Sequence, residues 1–415
     1  MKIAIIGAGF VGLTAGLRLS QKGHEVVIFE KENFLGGLSA GFRQKDWQWS
    51  LENFFHHLFT SDKETQKLIK ELCLSSKLFY RKPKASIFKN NKISQFDSLS
   101  TVLTFPHLPF LDKVRTGLII FYLKITPFQT SFEKVTASQW LKKAYGEKAY
   151  RTIWEPLLES KFGKYKERIT MSWFWTRIKK RSLRLGYLEG GFQVLLEKLS
   201  QEIKKKKGKI YLGREITSLS FLKSDFDKII VTTPTSIFLK IAPSLPKSYR
   251  KDLTQLKMIG SLNLVLILKR KFLEDGTYWL NINEKGFPFV AVVEHTNFVS
   301  SKHYNNCHLL YLGGYYPQNH RFLKMKKEQI LQEFLPYLKK VNPNFEKSSI
   351  INSYLSTNFF AQPIVTFGYR ELIPDYKTPI PNIFLVNMQQ VYPWDRGINQ
   401  AIIQGEKIAK EAVSS

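Results

Sequence analysis

The sequence is poor in cysteine, in acidic side chains and in long uninterrupted apolar runs. Its 415 residues include two cysteines, Cys73 and Cys307, which are far apart and outside any CxxC spacing. This scarcity argues against a disulfide framework and favours a reducing, cytoplasmic compartment. No His/Cys cluster has the spacing of metal ligands, so we expect no bound metal.

The apolar runs are too short or too interrupted to predict a membrane-spanning helix. Residues 1–20 are apolar but broken by glycines, and they lack the basic start and cleavage site of a secretory signal. The segment 116–128 is interrupted by Lys124 and is shorter than the ~20 residues that span a bilayer. It predicts either a buried helix, which we favour, or a helix on a membrane surface, so peripheral contact with the inner face of the membrane stays open.

Basic residues outnumber acidic ones: the chain has 63 Lys and Arg but only 34 Asp and Glu, so its net charge is +29. Such a surface attracts anions: nucleic acid, acidic lipid, or a ligand with phosphate or carboxylate groups. A compositionally biased genome would explain the excess equally well. No nucleic-acid recognition motif is present, so we expect no specific nucleic-acid partner.

The chain opens with a strand, a glycine loop, a helix and a second strand, the pattern of a dinucleotide site. Gly7, Gly9 and Gly12 follow an apolar run with the spacing G-x-G-x-x-G. Gly7 permits the tight turn, Gly9 lets the backbone approach a pyrophosphate, and Gly12 lets helix and strand pack closely. The helix start, with Phe10 and Val11, offers free N–H groups and a positive dipole end to the phosphates.

An acidic residue ends the second predicted strand, EVVIFE. Glu30 lies 18 residues after Gly12, where it accepts hydrogen bonds from a ribose 2′-hydroxyl and repels a 2′-phosphate. NADP is therefore disfavoured. Gly36 and Gly37 then follow Glu30 by six and seven residues.

This acid and glycine pair resemble the FAD-binding fingerprint of the amine oxidase, protoporphyrinogen oxidase and phytoene desaturase superfamily. The resemblance implies FAD as cofactor, with the chain passing close to the ribityl-pyrophosphate at Gly36, Gly37 and the flanking Lys31 and Leu38. The family commonly has Arg where Leu38 stands. The cationic contact is then missing, or it comes from Arg43.

Two later blocks resemble the same superfamily. Residues 185–219 predict a glycine turn, a helix, a strand and a second short strand, and 225–234 predict a buried strand ending in a Thr-Thr-Pro loop. The resemblance implies an adenine contact at Ile216 and a further contact at Thr233. The Lys204–Lys207 run is interpreted as a solvated helix end rather than a nucleic-acid patch.

The closing block, residues 382–413, predicts a strand, a loop and a helix. The resemblance implies that this helix points its N-terminus at the flavin pyrimidine edge, with donors at Gly397, Ile398 and Asn399, and that Trp394 packs beside the ring. The family's usual strand-end acid is absent, and Asn387 or Gln389 would replace it. Asp395 is equally well explained as a helix N-cap.

The predicted fold is α/β with two interleaved domains, since 415 residues exceed one ordinary core. A Rossmann-type, glutathione reductase-like FAD domain takes residues 1–80, 186–256 and 368–415. An α+β substrate domain takes 81–185 and 257–367, with a mixed or antiparallel sheet from 257 to 316 and a helical cap from 98 to 182.

Candidates for substrate contact are few. His56, in NFFHHLFTSD, resembles a flavin-facing histidine of UDP-galactopyranose mutases, or else it alternates with His57 on a strand. Glu294 and His295 are neighbours on a predicted strand, so one at most enters a cleft. Four arginines are candidates for binding an anionic substrate: Arg177, Arg181, Arg184 and Arg370.

Three functions remain open. The first is an FAD-dependent oxidoreductase that moves a hydride from a hydrophobic, anionic or lipid-like small molecule to flavin N5. The second is a redox-neutral flavoenzyme of the UDP-galactopyranose mutase type. The third, which we disfavour, is a basic nucleic-acid-binding or membrane-binding protein. The oligomeric state is not predicted.

Overall fold

The computed structural model describes residues 1–414, which form a mixed α/β fold. The strands, in chain order, are β1 Lys2–Ile6, β2 Glu25–Phe29, β3 Gly41–Phe42, β4 Leu51–Glu52, β5 Leu58–Phe59, β6 Leu78–Arg81, β7 Lys84–Lys89, β8 Lys92–Gln95, β9 Leu185–Leu188, β10 Lys209–Tyr211, β11 Lys228–Val231, β12 Met258–Leu268, β13 Thr277–Ile282, β14 Ala291–Glu294, β15 His308–Tyr316, β16 Ile350–Pro363 and β17 Ile383–Leu385.

The α-helices are α1 Phe10–Gln21, α2 Lys63–Glu71, α3 Leu99–Leu103, α4 Phe110–Ile125, α5 Ala137–Tyr145, α6 Glu147–Ala149, α7 Glu155–Phe162, α8 Met171–Lys180, α9 Gln193–Lys205, α10 Thr235–Ile241, α11 Lys247–Leu253, α12 Lys327–Val341, α13 Tyr369–Leu372 and α14 Ile398–Ser414. A π-helical turn at Tyr150–Trp154 leads into α7.

A five-stranded parallel sheet carries the glycine loop, with the order β10-β2-β1-β11-β17. Numbered by position along the chain, these strands stand 3-2-1-4-5, the order of a dinucleotide-binding half. Helix α1 packs against both α9 and α14. Its inward residues Leu13, Leu17 and Leu19 are buried, as the sequence pattern predicts.

The second large sheet has seven strands in the order β16-β12-β15-β14-β13-β7-β8. Its neighbours pair antiparallel except β13 and β7, which are parallel, so the sheet is mixed as predicted. Strand β12 is buried at every position but the first, because helix α12 and neighbouring strands cover it.

Helices α3 to α8 lie between β8 and β9 in the chain, where the periodicity predicts a helical region. Helix α5 begins as the TASQWL motif predicts, since Thr136 and Gln139 form a reciprocal capping box. The core of this region is aromatic and includes the fully buried Trp173 and Trp175.

Strands of the parallel sheet come from 1–80, 186–256 and 368–415, and those of the seven-stranded sheet come from 81–185 and 257–367. A small sheet of order β5-β9-β6 lies where the segments 1–80 and 186–256 border 81–185. The domain boundaries themselves stay a prediction.

Two expectations about local structure are wrong. The second short strand after β10 does not form, because Gly213 and Arg214 donate backbone hydrogen bonds to the segment after β2, at Glu32 and Glu30. The 116–128 segment, for which burial is the favoured expectation, lies largely in α4 with Leu118 and Phe121 mostly exposed. Within residues 1–414, every helix is too short or too polar to cross a membrane.

Candidate functional site

The glycine loop between β1 and α1 is closely packed. Gly7 has a φ of +108°, and a Cβ on Gly12 would lie 2.0 Å from the carbonyl oxygen of Gly7. Helix α1 begins at Phe10, and Gly9 precedes it without a side-chain cap. The first-turn N–H groups, including those of Phe10 and Val11, therefore face the loop and suit a phosphate.

Glu30 lies at the end of β2 and contacts this loop. Its carboxylate accepts hydrogen bonds from the N–H of Ala8, across 2.8 Å, and from the N–H of Glu32, across 3.0 Å. Each carboxylate oxygen accepts more than one hydrogen bond, so a ribose hydroxyl can still bind there. Lys31 is exposed and pairs with Glu32 at 3.1 Å.

The second glycine pair touches the first loop. Gly36, with a φ of +114°, donates its N–H to the carbonyl oxygen of Ala8 at 2.9 Å. Gly37, with a φ of +56°, is exposed, and Leu38 follows in a short 3₁₀ turn. Arg43 is also exposed. The two glycine segments thus form one backbone-lined surface.

The ends of β11 and β17 meet beside Gly7. The buried hydroxyl oxygen of Thr233 has no hydrogen-bond partner within residues 1–414. Asn387 Nδ2 donates to the carbonyl oxygen of Thr233 across 2.9 Å. Gln389, by contrast, is used structurally, since its Oε1 accepts from the N–H of Thr235 in α10. An unpartnered hydroxyl beside a glycine loop fits a bound dinucleotide.

Ile216 lies on one face of the parallel sheet. It lines an open groove with Phe29 and Tyr211, whose rings stack at 5.8 Å. The groove adjoins the end of β2, near Glu30, as a site for adenine requires.

The N-terminus of α14 is open. Gly397 is exposed, and a Cβ placed there would meet no heavy atom of the described residues within 4 Å beyond its own neighbours in the chain and the helix backbone. Ile398 begins the helix, and Asn399 Oδ1 accepts from the N–H of Thr65 in α2 across 3.0 Å. Free first-turn N–H groups at this helix start suit a ligand with partial negative charge.

Sequence reasoning missed Gly405, which joins α14 to the phosphate helix. A Cβ on Gly405 would lie 2.7 Å from the carbonyl oxygen of Val11 and 2.6 Å from the Cβ of Thr14. The first and last motifs of the chain are thus brought together by one close helix crossing. A glycine inside an amphipathic helix was the available signal.

The loop before α14 corrects one interpretation. Asp395 does not cap the helix, because its Oδ1 accepts from Gln362 Nε2 across 3.0 Å and its Oδ2 lies 3.8 Å from Lys161 Nζ. Trp394 packs on Trp175, with ring centroids 5.5 Å apart, and lies beneath Lys180.

His56 and His57 lie in an irregular segment before β5, so the interpretation as strand residues is wrong. His56 Nδ1 lies 2.6 Å from the Phe54 carbonyl oxygen, which only accepts, so Nδ1 carries the proton. Nε2 is then an acceptor, and it lies 3.4 Å from the hydroxyl of Ser39, next to the second glycine pair.

Both imidazoles are neutral at neutral pH. Burial lowers the pKa of His56 to about 4, outweighing the hydrogen bond to the Phe54 carbonyl that raises it, and nearby Arg396 lowers it further. Burial, together with Arg181, His56 and Arg177, lowers the pKa of His57 to about 3. His57 therefore faces the positive charge of helix α8 and its C-terminal end.

That charge belongs to four basic side chains, which we call the cationic cluster. They come from α7, from α8 and its C-terminal end, and from the loop before α14: Lys161, Arg177, Arg181 and Arg396. Asp395 is the carboxylate that acts on this cluster electrostatically. Within residues 1–414, the guanidinium groups of Arg177 and Arg181 have no hydrogen-bond or ion-pair partner, although that of Arg177 lies 5.7 Å from the ring centroid of Trp173.

Charge repulsion and burial perturb the groups that titrate here. Burial lowers the pKa of Lys161 to about 8, although Asp395 raises it. Burial alone would raise the pKa of Tyr315, but Arg396, Lys161 and Arg177 outweigh it, and the pKa is lowered. The cluster therefore has positive charge in excess of its protein partners.

The other candidates lie elsewhere. Arg184 donates to the carbonyl oxygen of Tyr80, and Arg370 pairs with Glu133 at 2.9 Å. Glu294 accepts from backbone N–H groups in the β12–β13 loop, and His295 Nε2 lies 2.9 Å from the Tyr304 hydroxyl. Both side chains are buried, but only Glu294 belongs to strand β14, because His295 begins a 3₁₀ turn; the expectation that the two are neighbours on one strand is therefore wrong.

Known proteins resemble this chain in sequence and in fold. The family of flavin-containing amine oxidoreductases matches residues 10–413. The chain belongs to this family. FAD is accordingly its cofactor.

Curated relatives match in part. Residues of the chain are 25% identical to 15-cis-phytoene desaturase of Glycine max over 159 residues, which are 34% of this chain and 28% of the relative. The phytoene desaturase of Synechococcus elongatus is 32% identical over 113 residues, which are 26% of this chain and 22% of the relative. The matches thus span less than a third of the length of these relatives.

Solved structures match in fold over the full length. A putative protoporphyrinogen oxidase from Exiguobacterium sp. 255-15 superposes with a TM-score of 0.78 at 15% identity, covering 100% of this chain and 99% of that one. A reduced UDP-galactopyranose mutase superposes with a TM-score of 0.75 at 14% identity, covering 100% and 95%. These similarities establish the fold.

Proposed function

We propose that the protein is an FAD-dependent oxidoreductase that takes a hydride from a carbon atom of an anionic, partly apolar small molecule. The observation that carries the proposal is the cationic cluster, in which the guanidinium groups of Arg177 and Arg181 have no hydrogen-bond or ion-pair partner among residues 1–414 and lie near His57. When bound, FAD supplies the two-electron acceptor at its N5 atom. The chain's own residues bind and orient the two ligands.

The FAD domain is proposed to be glutathione reductase-like, with the cofactor extended from the groove at Ile216 to the open start of α14. Support comes from the free helix N-termini, the glycine surface and the unpartnered Thr233 hydroxyl. The proposed FAD contacts are Gly7, Gly9, Phe10, Val11, Gly12, Glu30, Lys31, Gly36, Gly37, Leu38, Ile216, Thr233, Asn387, Trp394, Gly397, Ile398 and Asn399.

The charge of the cluster favours an anionic substrate over an amine. Two like charges about 4 Å apart repel by about 4 kcal/mol at an effective dielectric constant near 20. A protonated amine would meet this repulsion from several basic groups, whereas a phosphate or carboxylate would neutralise them. Bidentate guanidinium contacts suit both of these anions.

His56 is proposed as the residue that acts on the substrate. Its imidazole is neutral at neutral pH, and the Phe54 carbonyl fixes the tautomer so that Nε2 is the acceptor. Nε2 can therefore accept a hydrogen bond or a proton from a substrate group beside the flavin-binding loop. The low pKa of His56 makes it a weak base, so positioning is the larger part of this role.

A redox-neutral reaction on a nucleotide sugar is the second candidate. The specific observation in its favour is again the cationic cluster, because a diphosphate would satisfy Arg177, Arg181 and Lys161 together. The fold it shares with a UDP-galactopyranose mutase is compatible with this function. The two candidates differ in whether turnover consumes an electron acceptor.

The test is an anaerobic screen of the FAD-loaded protein that follows the visible flavin absorbance. Matched pairs would be compared: organic phosphates or diphosphates, their dephosphorylated alcohols, and amines of similar size. Bleaching by anionic members alone is the expected result. Bleaching by amines or neutral alcohols alone would overturn the proposed substrate class. Turnover of a nucleotide sugar by pre-reduced enzyme, without acceptor consumption, would favour the second candidate.

A further inference from the structure

The solvent-facing side of helix α4 is apolar. This helix runs from Phe110 to Ile125 and has 16 residues. Five of its large apolar side chains are between 61% and 79% exposed: Phe110, Leu111, Leu118, Phe121 and Ile125. A water-exposed helix normally places its charged side chains there instead.

The arrangement around the helix axis makes this reversal clear. Thr116 and Leu123 are buried and define the inner face. With 3.6 residues per turn, Leu118 and Ile125 lie on the opposite side of the axis. The basic residues lie on neither the inner nor the outer face, because Lys113, Arg115 and Lys124 lie on the two flanks between them. The exposed outer face of α4 is therefore apolar along its whole length.

Helix α3 widens this apolar side. A Cβ placed on Gly117 of α4 would lie 3.1 Å from Leu99 Cδ1, so the two helices pack side by side. Leu99 itself is 66% exposed. We call the continuous patch the α4 surface: Leu99, Phe110, Leu111, Leu118, Phe121 and Ile125.

We propose that the α4 surface lies in the interface of a lipid bilayer that has anionic head groups. A helix of 16 residues is about 24 Å long and too short to cross the hydrocarbon core. Helices that lie flat in the interface have an apolar face with Lys and Arg beside it, which is the pattern of α4. Lys113, Arg115 and Lys124 would reach the head groups on either side.

The basic flanks favour anionic lipid over a second copy of the chain. Arg115 donates to the carbonyl oxygen of Lys143 in α5, across 2.7 Å, so the flank continues into Lys142 and Lys143. A symmetric dimer would pair the α4 surface with itself and bring the same basic residues together. Anionic head groups would neutralise them instead.

The end of α4 lies beside the cationic cluster. Lys179 of α8 donates to the carbonyl oxygen of Lys124 across 2.7 Å, and Lys124 donates to the carbonyl oxygen of Arg181. A bilayer in contact with Ile125 would therefore lie next to Arg181. Docking would bring an amphiphilic anion in the bilayer to the substrate side of the protein.

The test is co-sedimentation of the FAD-loaded protein with phosphatidylcholine vesicles, with and without phosphatidylglycerol. We expect binding that requires phosphatidylglycerol and falls roughly tenfold or more in the double variant Leu118→Ser/Phe121→Ser. The matched control is Ile351→Ser/Phe359→Ser, which removes two exposed apolar side chains of strand β16 and should bind like the wild type. Lys113→Glu should weaken binding to phosphatidylglycerol vesicles.

Three outcomes would overturn the proposal. The first is that the wild type binds neither kind of vesicle. The second is that the α4 variant binds vesicles as tightly as the control variant does. The third is that sedimentation velocity shows a dimer that the α4 substitutions dissociate. The last outcome would assign the surface to a second copy of the chain. Unchanged thermal unfolding of the α4 variant would establish that a loss of binding is not a loss of folding.

Discussion

Arg396 donates a hydrogen bond from Nη2 to the Tyr315 hydroxyl across 2.9 Å, which joins the loop before α14 to strand β15. Its Nε donates to Gln362 in β16 across 3.1 Å. Two strands of the seven-stranded sheet therefore hold this guanidinium, while Arg177 and Arg181 have no such partners within residues 1–414. The cationic cluster thus combines Arg396, which these hydrogen bonds fix, and Lys161, which lies 3.8 Å from Asp395, with two guanidinium groups that are free to bind an anion.

Loss of Arg181 should weaken the binding of anions. We expect Arg181→Gln to raise the dissociation constant of inorganic pyrophosphate about tenfold or more, because a charge-assisted hydrogen bond contributes about 1.5–3 kcal/mol. The measurement is a titration of the FAD-loaded protein followed by the flavin spectrum or by calorimetry.

Arg184→Gln is the matched control, since Arg184 is exposed on the same loop but donates to the Tyr80 carbonyl oxygen outside the cluster. It should leave pyrophosphate affinity unchanged. Equal losses in the two variants would indicate general charge attraction and would contradict an anion site at the cluster.

Anion affinity should fall as the pH rises through the pKa of Lys161. Burial lowers that pKa to about 8, so Lys161 is cationic below this pH and neutral above it. Sulfate is the suitable probe, because its own charge is constant over this range. We expect its affinity to decrease between about pH 7 and pH 9 and to be flatter in Lys161→Met. A wild-type profile that is independent of pH would contradict a role for Lys161.

Placing a larger side chain at the start of α14 should weaken FAD binding or lower the flavin reduction potential without changing the stability of the FAD-free protein. The space that a Cβ on Gly397 would occupy is open, so Gly397→Val should leave the unfolding temperature of the FAD-free protein unchanged. If the flavin approaches this helix start, the valine should raise the FAD dissociation constant or lower the flavin reduction potential. Equal FAD affinity and potential in wild type and variant would remove Gly397 from the site.

The N-terminal unit could be predicted from the sequence because its information is local. The glycine spacing, the strands on either side and Glu30 lie within 30 residues, and each residue type has one physical task in that unit. The structure places them as expected, with Glu30 bonded to the loop at Ala8.

The cationic cluster could be predicted only in part, because it is assembled from distant segments. Arg177 and Arg181 are about one helical turn apart, and the sequence alone indicates both as candidates. Lys161 and Arg396 come from α7 and the loop before α14, and only the tertiary fold brings them close. Arg184 and Arg370 are also arginines, but they lie outside the cluster. The residue type alone does not distinguish them from Arg177 and Arg181.

The interpretation of α4 failed for a different reason. Its apolar residues cover most of the helix circumference, and such a helix is usually buried. Burial also needs a neighbour on the outer side, and the sequence contains no local signal for its absence. Leu118 and Phe121 are exposed because the described elements contact only the inner face.

The crossing of α1 and α14 provides the last prediction, which is that Gly405→Ala destabilises the protein. The added Cβ would lie 2.7 Å from the carbonyl oxygen of Val11 and 3.1 Å from the N–H nitrogen of Ala15, and neither backbone atom moves without shifting α1. Alanine is favoured over glycine inside a helix by about 1 kcal/mol, and overpacking costs about 1–3 kcal/mol. The cost of overpacking should therefore exceed the gain in helix propensity.

We therefore expect a lower free energy of unfolding in urea and weaker FAD binding, because Val11 belongs to the phosphate-binding turn. Gly397→Ala is the matched control, since it adds the same methyl group at the open start of the same helix. It should be neutral in the FAD-free protein. A Gly405→Ala variant that is as stable as this control, with unchanged FAD affinity, would show that the two helices have room to separate.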